Sequence, residues 1–127
     1  MQVKIDTREK FHVITVQEAD LSENMTEELQ NCLLPFLKQE VKNLVLNLGD
    51  IQTMQVAAAE CLVRIQQTFY ENEASFVYCC LQPAVEEWLD QQGLLEIMNV
   101  TPTESEAWDI VQMEEIEREF LGEDGEE

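Results

Sequence analysis

The run Leu44-Val45-Leu46-Asn47-Leu48 is almost entirely apolar, and it restricts the fold more than any other segment of the chain. A strand without polar alternation has to be covered on both faces, which calls for helices packed on both sides of a sheet. After a short turn, Ala58, Cys61, Leu62, Ile65 and Phe69 recur at helical spacing, with Glu60, Arg64 and Gln67 outside the stripe. Leu44 to Ile65 therefore reads as buried strand, turn and amphipathic helix. Ligands and phosphoryl groups gather at such turns, because the following helix offers free N–H groups and the positive end of its dipole. Here the turn presents Met54, Gln55, Val56, Ala57 and Ala58, and from Met54 to Gln67 there is no Ser, Thr, Tyr, Asp, His or Gly. Such a turn supplies no nucleophile and no acid or base. These residues read as a protein-binding surface, and no residue is assigned a catalytic role.

The other elements follow from pattern. Val3–Ile5 and Phe11–Val16 are rich in β-branched and aromatic residues and flank the charged turn Thr7-Arg8-Glu9-Lys10, predicting a hairpin toward one edge of a sheet. Asn24 and Glu27 form a capping-box pattern, and Met25, Leu29, Cys32, Leu33, Phe36 and Leu37 follow at helical spacing. Pro35 removes the hydrogen bond to the Asn31 carbonyl, so a kink or a loosened last turn is expected there. Phe76–Leu81 reads as a second apolar strand, Pro83 as the first turn of a helix and Gly93 as its left-handed cap. A short strand near Ile97–Val100 then precedes Thr103-x-x-Glu106, the capping box of a final helix. The order β-β-α-β-α-β-α-β-α predicts an α/β fold, a mixed sheet with a parallel portion and right-handed crossovers. Val13, Leu29, Leu33, Leu46, Leu48, Leu62, Ile65, Phe76 and Leu89 are its expected core.

Composition narrows the function classes. A chain of 127 residues with 45% hydrophobic content supports one domain, assigned to residues 1–121, followed by an acidic tail, 122–127, expected to be disordered. The formal charge of -20 opposes binding to nucleic acid and to anionic lipid. No apolar run approaches the roughly 18–20 residues that span a bilayer, and Met1 to Asp6 lack a signal-peptide core, so a cytoplasmic protein without direct membrane insertion is expected. The four cysteines include no C-x-x-C and no Cys/His spacing suited to a metal; buried, reduced thiols are expected, and no metal or cofactor. Cys79 and Cys80 are adjacent on an expected strand and point to opposite faces. The single histidine, His12, reads as a half-exposed strand residue, and the four glycines make no nucleotide-binding motif. Paired acids such as Glu86-Glu87 and Glu114-Glu115 read as solvated helix faces.

Leu81-Gln82-Pro83-Ala84-Val85, Leu89, Gly93-Leu94, Val100, Thr103 and Glu106-Ala107, together with the strand Leu44–Leu48, resemble the STAS domain family of anti-sigma factor antagonists and sulfate-transporter domains. The likeness extends to about residue 111, with Asn47 where an Asp is usual. In the antagonist branch, the turn before the second helix reads Asp-Ser-Ser-Gly, and a partner kinase phosphorylates its second serine. Those positions fall here on Gln55, Val56, Ala57 and Ala58, so the resemblance implies the fold without the phosphorylation switch. Thr53 is the nearest hydroxyl, a displaced acceptor only if it takes over that role.

The resemblance implies a non-catalytic protein-interaction module in bacterial signalling or sigma-factor regulation, its partner an anti-sigma factor or kinase-like regulator. The alternative is a small-molecule or lipid-binding accessory domain of a transport system. Trp108, Met113, Ile116 and Phe120 continue apolar residues into the last, acidic helix. Packing on the domain's own surface is the plainer reading of them; a homodimer or partner contact through the C-terminal helix is the other.

Overall fold

A computed structural model describes residues 1–125. The strands are β1 (Val3–Thr7), β2 (Phe11–Val16), β3 (Asp20–Leu21), β4 (Asn43–Asn47), β5 (Thr53–Met54), β6 (Phe76–Cys79) and β7 (Val100–Thr101). The helices are α1 (Thr26–Leu33), α2 (Val56–Glu71), α3 (Pro83–Gln91) and α4 (Glu104–Gly125). This is the expected order with β3 and β5 added. The main sheet runs β1-β2-β4-β6-β7. β1 is antiparallel to β2, with Val3 opposite Val16 and Thr7 opposite His12, and the other neighbours are parallel. β3 and β5 form a separate parallel pair in which Asp20 faces Thr53.

Strand alternation divides the core into two layers. Ile14, Leu44, Leu46, Phe76 and Tyr78 point to the face covered by α1, α2 and α3, where Leu29, Leu33, Leu62, Ile65, Phe69, Val85 and Leu89 meet them. Phe11, Val13, Val45, Val77 and Cys79 point to the other face, closed by Ala107 and Val111 of α4 with Trp108 and Ile110 beside them. All nine residues expected in the core are buried. Pro83 opens α3, and Gly93 ends the segment after it at φ 73°, a conformation that favours glycine.

Several local expectations are corrected. The Asn24 capping box does not form: the chain enters α1 through a 3₁₀ turn, Glu23–Met25, with no side-chain cap, and the Met25 N–H bonds the Ser22 carbonyl. The Glu23 N–H is instead satisfied by Gln55 Oε1 at 2.7 Å, from the far side of a crossover. α1 stops at Leu33, and Leu34–Lys38 tighten into 3₁₀ geometry around Pro35, the loosened turn the proline requires. The last strand lies at Val100–Thr101 because Leu95–Ile97 form a 3₁₀ turn instead.

His12 is buried, not half-exposed. Its Nε2 donates to the Val41 carbonyl at 2.9 Å, since a carbonyl only accepts; Nδ1 lies 3.0 Å from Thr7 Oγ1, and the ring packs 4.6 Å from Phe36. The expectation that Cys79 and Cys80 point to opposite faces of a strand is also corrected: β6 ends at Cys79, and Cys80, at φ 66°, turns back so that its thiol lies beside that of Cys79 against the same apolar cluster. The acidic tail expected from residue 122 begins inside α4, whose backbone runs to Gly125; residues 126 and 127 lie outside the described residues.

Candidate functional site

The carboxyl ends of β4 and β6 and the starts of α2, α3 and α4 meet at one edge of the sheet, the edge where α/β folds place ligands. Close packing fixes the loop after β4. Gly49 donates its N–H to Asn47 Oδ1 at 2.8 Å, and a Cβ at Gly49 would lie 3.0 Å from that oxygen. Asn47 Nδ2 donates in turn to Glu104 at the start of α4, and Gln82 Nε2 donates to the Gly49 carbonyl at 2.9 Å. Amide side chains therefore tie this loop to the starts of α3 and α4.

Gln55 is the N-cap residue of α2, with extended backbone at φ -94° and ψ 151°. Its carbonyl accepts from Ala58 and Ala59, its N–H bonds the Leu21 carbonyl, and its side chain is spent on Glu23. The five residues assigned to partner binding thus divide by depth. Met54 and Ala58 belong to the core, Gln55 and Val56 are exposed, and Ala57 is half-buried. Gln55, Val56 and Ala57 are therefore the ones open to solvent. Val56 is 42% exposed and heads a first turn with no acidic residue.

Thr53, the nearest hydroxyl, is exposed, and its Oγ1 donates to the Asp20 carboxylate across the β3–β5 pair. A phosphate on Thr53 would stand against that carboxylate. Beside the turn, Gln52, Thr53, Met54, Ala84, Val85 and Trp88 line an open cleft of about 270 Å³. Sequence pattern did not reveal the Gln55–Glu23, Thr53–Asp20 and Gln82–Gly49 contacts, each of which joins residues more than thirty positions apart. A polar residue at each helix or strand terminus was the only local signal.

The cysteines are free thiols. Burial pushes Cys32, Cys61 and Cys79 upward in pKa and keeps them protonated, the opposite of what a nucleophile or metal ligand needs. Among the described residues, no group of three or more His, Cys, Asp or Glu is placed to hold a metal ion. Nor is any helix there long and apolar enough to cross a membrane.

The STAS domain family model matches residues 2–107. Among solved structures, an anti-sigma factor antagonist from Mycobacterium paratuberculosis superposes with a TM-score of 0.74 at 14% identity, covering 87% of this chain and 93% of that one. The Bacillus cell-fate determinant SpoIIAA in its phosphorylated form gives 0.62 at 15% identity, covering 87% and 99%. The murine Solute Carrier 26 family member A9 anion transporter gives 0.70 at 12% identity, covering 82% of this chain but 18% of the transporter. At these identities the structural likeness carries the fold, with its mixed sheet and flanking helices.

Proposed function

The chain belongs to the STAS domain family, and from that premise we propose that it is a non-catalytic interaction module of the antagonist type, held permanently in its unphosphorylated form. Its partner docks on Gln55, Val56 and Ala57 at the exposed start of α2. The observation that carries this reading is the alkyl character of that turn within an intact frame: the amide clamps on Gly49 and Glu23 are in place where a hydroxyl is missing. Phosphoryl transfer needs an acceptor oxygen in line with its donor, and Val56, Ala57 and Ala58 offer none. Partner binding is then constitutive or controlled elsewhere. An anti-sigma factor or kinase-like regulator fits as the partner by analogy with the antagonists named above, in a reducing cytoplasm that suits four free thiols.

The test uses a serine kinase that acts on ordinary antagonist STAS domains, labelled ATP and mass spectrometry of the turn peptide. Wild-type protein stays unlabelled and Ala57→Ser restores labelling. Stoichiometric phosphate on Thr53 overturns the inert-turn reading. A pull-down comparing wild type with Ala57→Glu tests the surface itself, since equal recovery of every partner removes the turn from the interface.

A second reading, an accessory domain of a transport system that holds a small molecule or lipid, draws support from the likeness to the murine anion transporter. The open shape of the Thr53–Trp88 cleft favours a docking face over an enclosed binding site.

A further inference from the structure

Past Val111, α4 outruns the sheet and its apolar residues change sides. Helix positions advance by 100°, so Val111, Glu114, Glu115 and Arg118 share the side facing the body, while Met113, Ile116 and Phe120 lie opposite. The inner side is polar and pinned. Glu114 accepts the Tyr70 hydroxyl at 2.8 Å, and Asn43 Nδ2 donates to Glu115 at 2.8 Å. Arg118 donates to Asn43 Oδ1 at 3.0 Å, to Ser75 Oγ at 3.1 Å and to Glu115 at 3.0 Å. The outer side holds Met113, Ile116 and Phe120 at 59%, 64% and 64% exposure. A surface helix ordinarily does the reverse, burying its apolar stripe and wetting its polar one. Here long-range polar bonds fix the rotation that presents the stripe to water.

We propose that the Met113–Phe120 stripe is a docking surface for a cationic amphipathic helix of a partner protein. The stripe covers two helical turns, about 10 Å at 1.5 Å per residue. It matches a helix with apolar side chains at i, i+3 or i+4, and i+7. Charge decides the occupant. Asp109, Glu117 and Glu119 border the stripe and are exposed, while Arg118, the only basic residue of α4, faces the body and is already paired. A second copy of this chain would set those carboxylates against their own kind, whereas Lys or Arg flanking the apolar positions of a partner would pair with them. The surface sits at the amino-terminal edge of the sheet, beside Asn43 and Ser75, and is separate from the start of α2.

The probe is a fluorescein-labelled peptide with leucines at heptad spacing and lysines on both sides, titrated against the full chain by fluorescence anisotropy. Two comparison peptides accompany it, one with the same composition scrambled and one with glutamate for every lysine. The patterned lysine peptide binds roughly tenfold more tightly than its scramble, weakens as salt is added, and outcompetes the glutamate peptide. Ile116→Ser/Phe120→Ser, checked for folding by circular dichroism, loses this binding, and Ala57→Glu keeps it whatever becomes of the α2 surface. Equal binding of the scramble, or full binding by the double serine variant, overturns the proposal, because charge alone then accounts for the attraction. Sedimentation showing self-association that the double variant abolishes also overturns it, in favour of a second copy.

Discussion

α2 and α4 flank the same sheet and use apolar residues in opposite ways. α2 buries Ala58, Cys61, Leu62, Ile65 and Phe69 in one stripe against the strands, and most of its outer side is polar. α4 does the same only as far as Val111; from Met113 onward it turns carboxylates and Arg118 inward and Met113, Ile116 and Phe120 outward. α2 is therefore held by the hydrophobic effect along its length. The distal half of α4 is held by a few directional bonds to Tyr70, Asn43 and Ser75. Similar side chains thus stabilise the fold in one helix and remain free for other contacts in the next.

Substitution should separate the two helices most sharply at the core. Leu62→Ala, fully buried in α2, should lower the unfolding free energy by about 2–5 kcal/mol once the cavity is included. Denaturant unfolding measures it, and a loss below about 1 kcal/mol would mean that α2 is not the anchored helix described. Arg118→Ala should cost about 1 kcal/mol, because the guanidinium is partly solvated and its bonds to Asn43 and Ser75 are few. Its clearer signature is faster amide exchange beyond Glu114 with α2 unchanged.

Acid should loosen α4 selectively. Burial alone would raise the Glu115 carboxyl, but the bonds from Asn43 and Arg118 outweigh it and hold the group below the usual carboxylate range. A depressed pKa contributes stability above the ordinary value, and that stability is lost as pH falls through the lowered one. Amide exchange along α4 should accelerate in that acidic window, and Glu115→Gln should remove the pH dependence specific to this helix. The smallest effect belongs to Ile116→Ala, expected within about 0.5 kcal/mol of wild type in the same unfolding experiment, because the side chain is already in water. A cost comparable to that of Leu62→Ala would erase the contrast between the helices.

The difference between α2 and α4 also marks what was legible in the sequence. Apolar spacing located α2, the strands β4 and β6 and all nine core residues, because burial against a sheet leaves a periodic trace. It located Met113, Ile116 and Phe120 as well, but not the side they face. The plainer reading, packing on the domain's own surface, fails for them because their orientation is set by Asn43 and Ser75, far away in the chain. His12 was misplaced for the same reason: its depth comes from the Val41 carbonyl and the Phe36 ring. At the candidate site, sequence showed a turn without a hydroxyl between Met54 and Gln67 but not the division of Met54 to Ala58 into core and surface. Nor did it show that the Gln55 amide completes the start of α1.

The strand order β1-β2-β4-β6-β7 has a consequence for how the chain assembles. Each new strand of the main sheet joins the edge left by its predecessor, and no later segment has to be inserted between two earlier ones. A nascent chain can therefore build the sheet in the order of synthesis: first the local β1–β2 hairpin, then successive crossovers whose helices cover one face. The opposite face has no such escort. Phe11, Val13, Val45 and Val77 stay uncovered until Ala107 and Val111 arrive, so closure by α4 is the step that withdraws the growing sheet from aggregation.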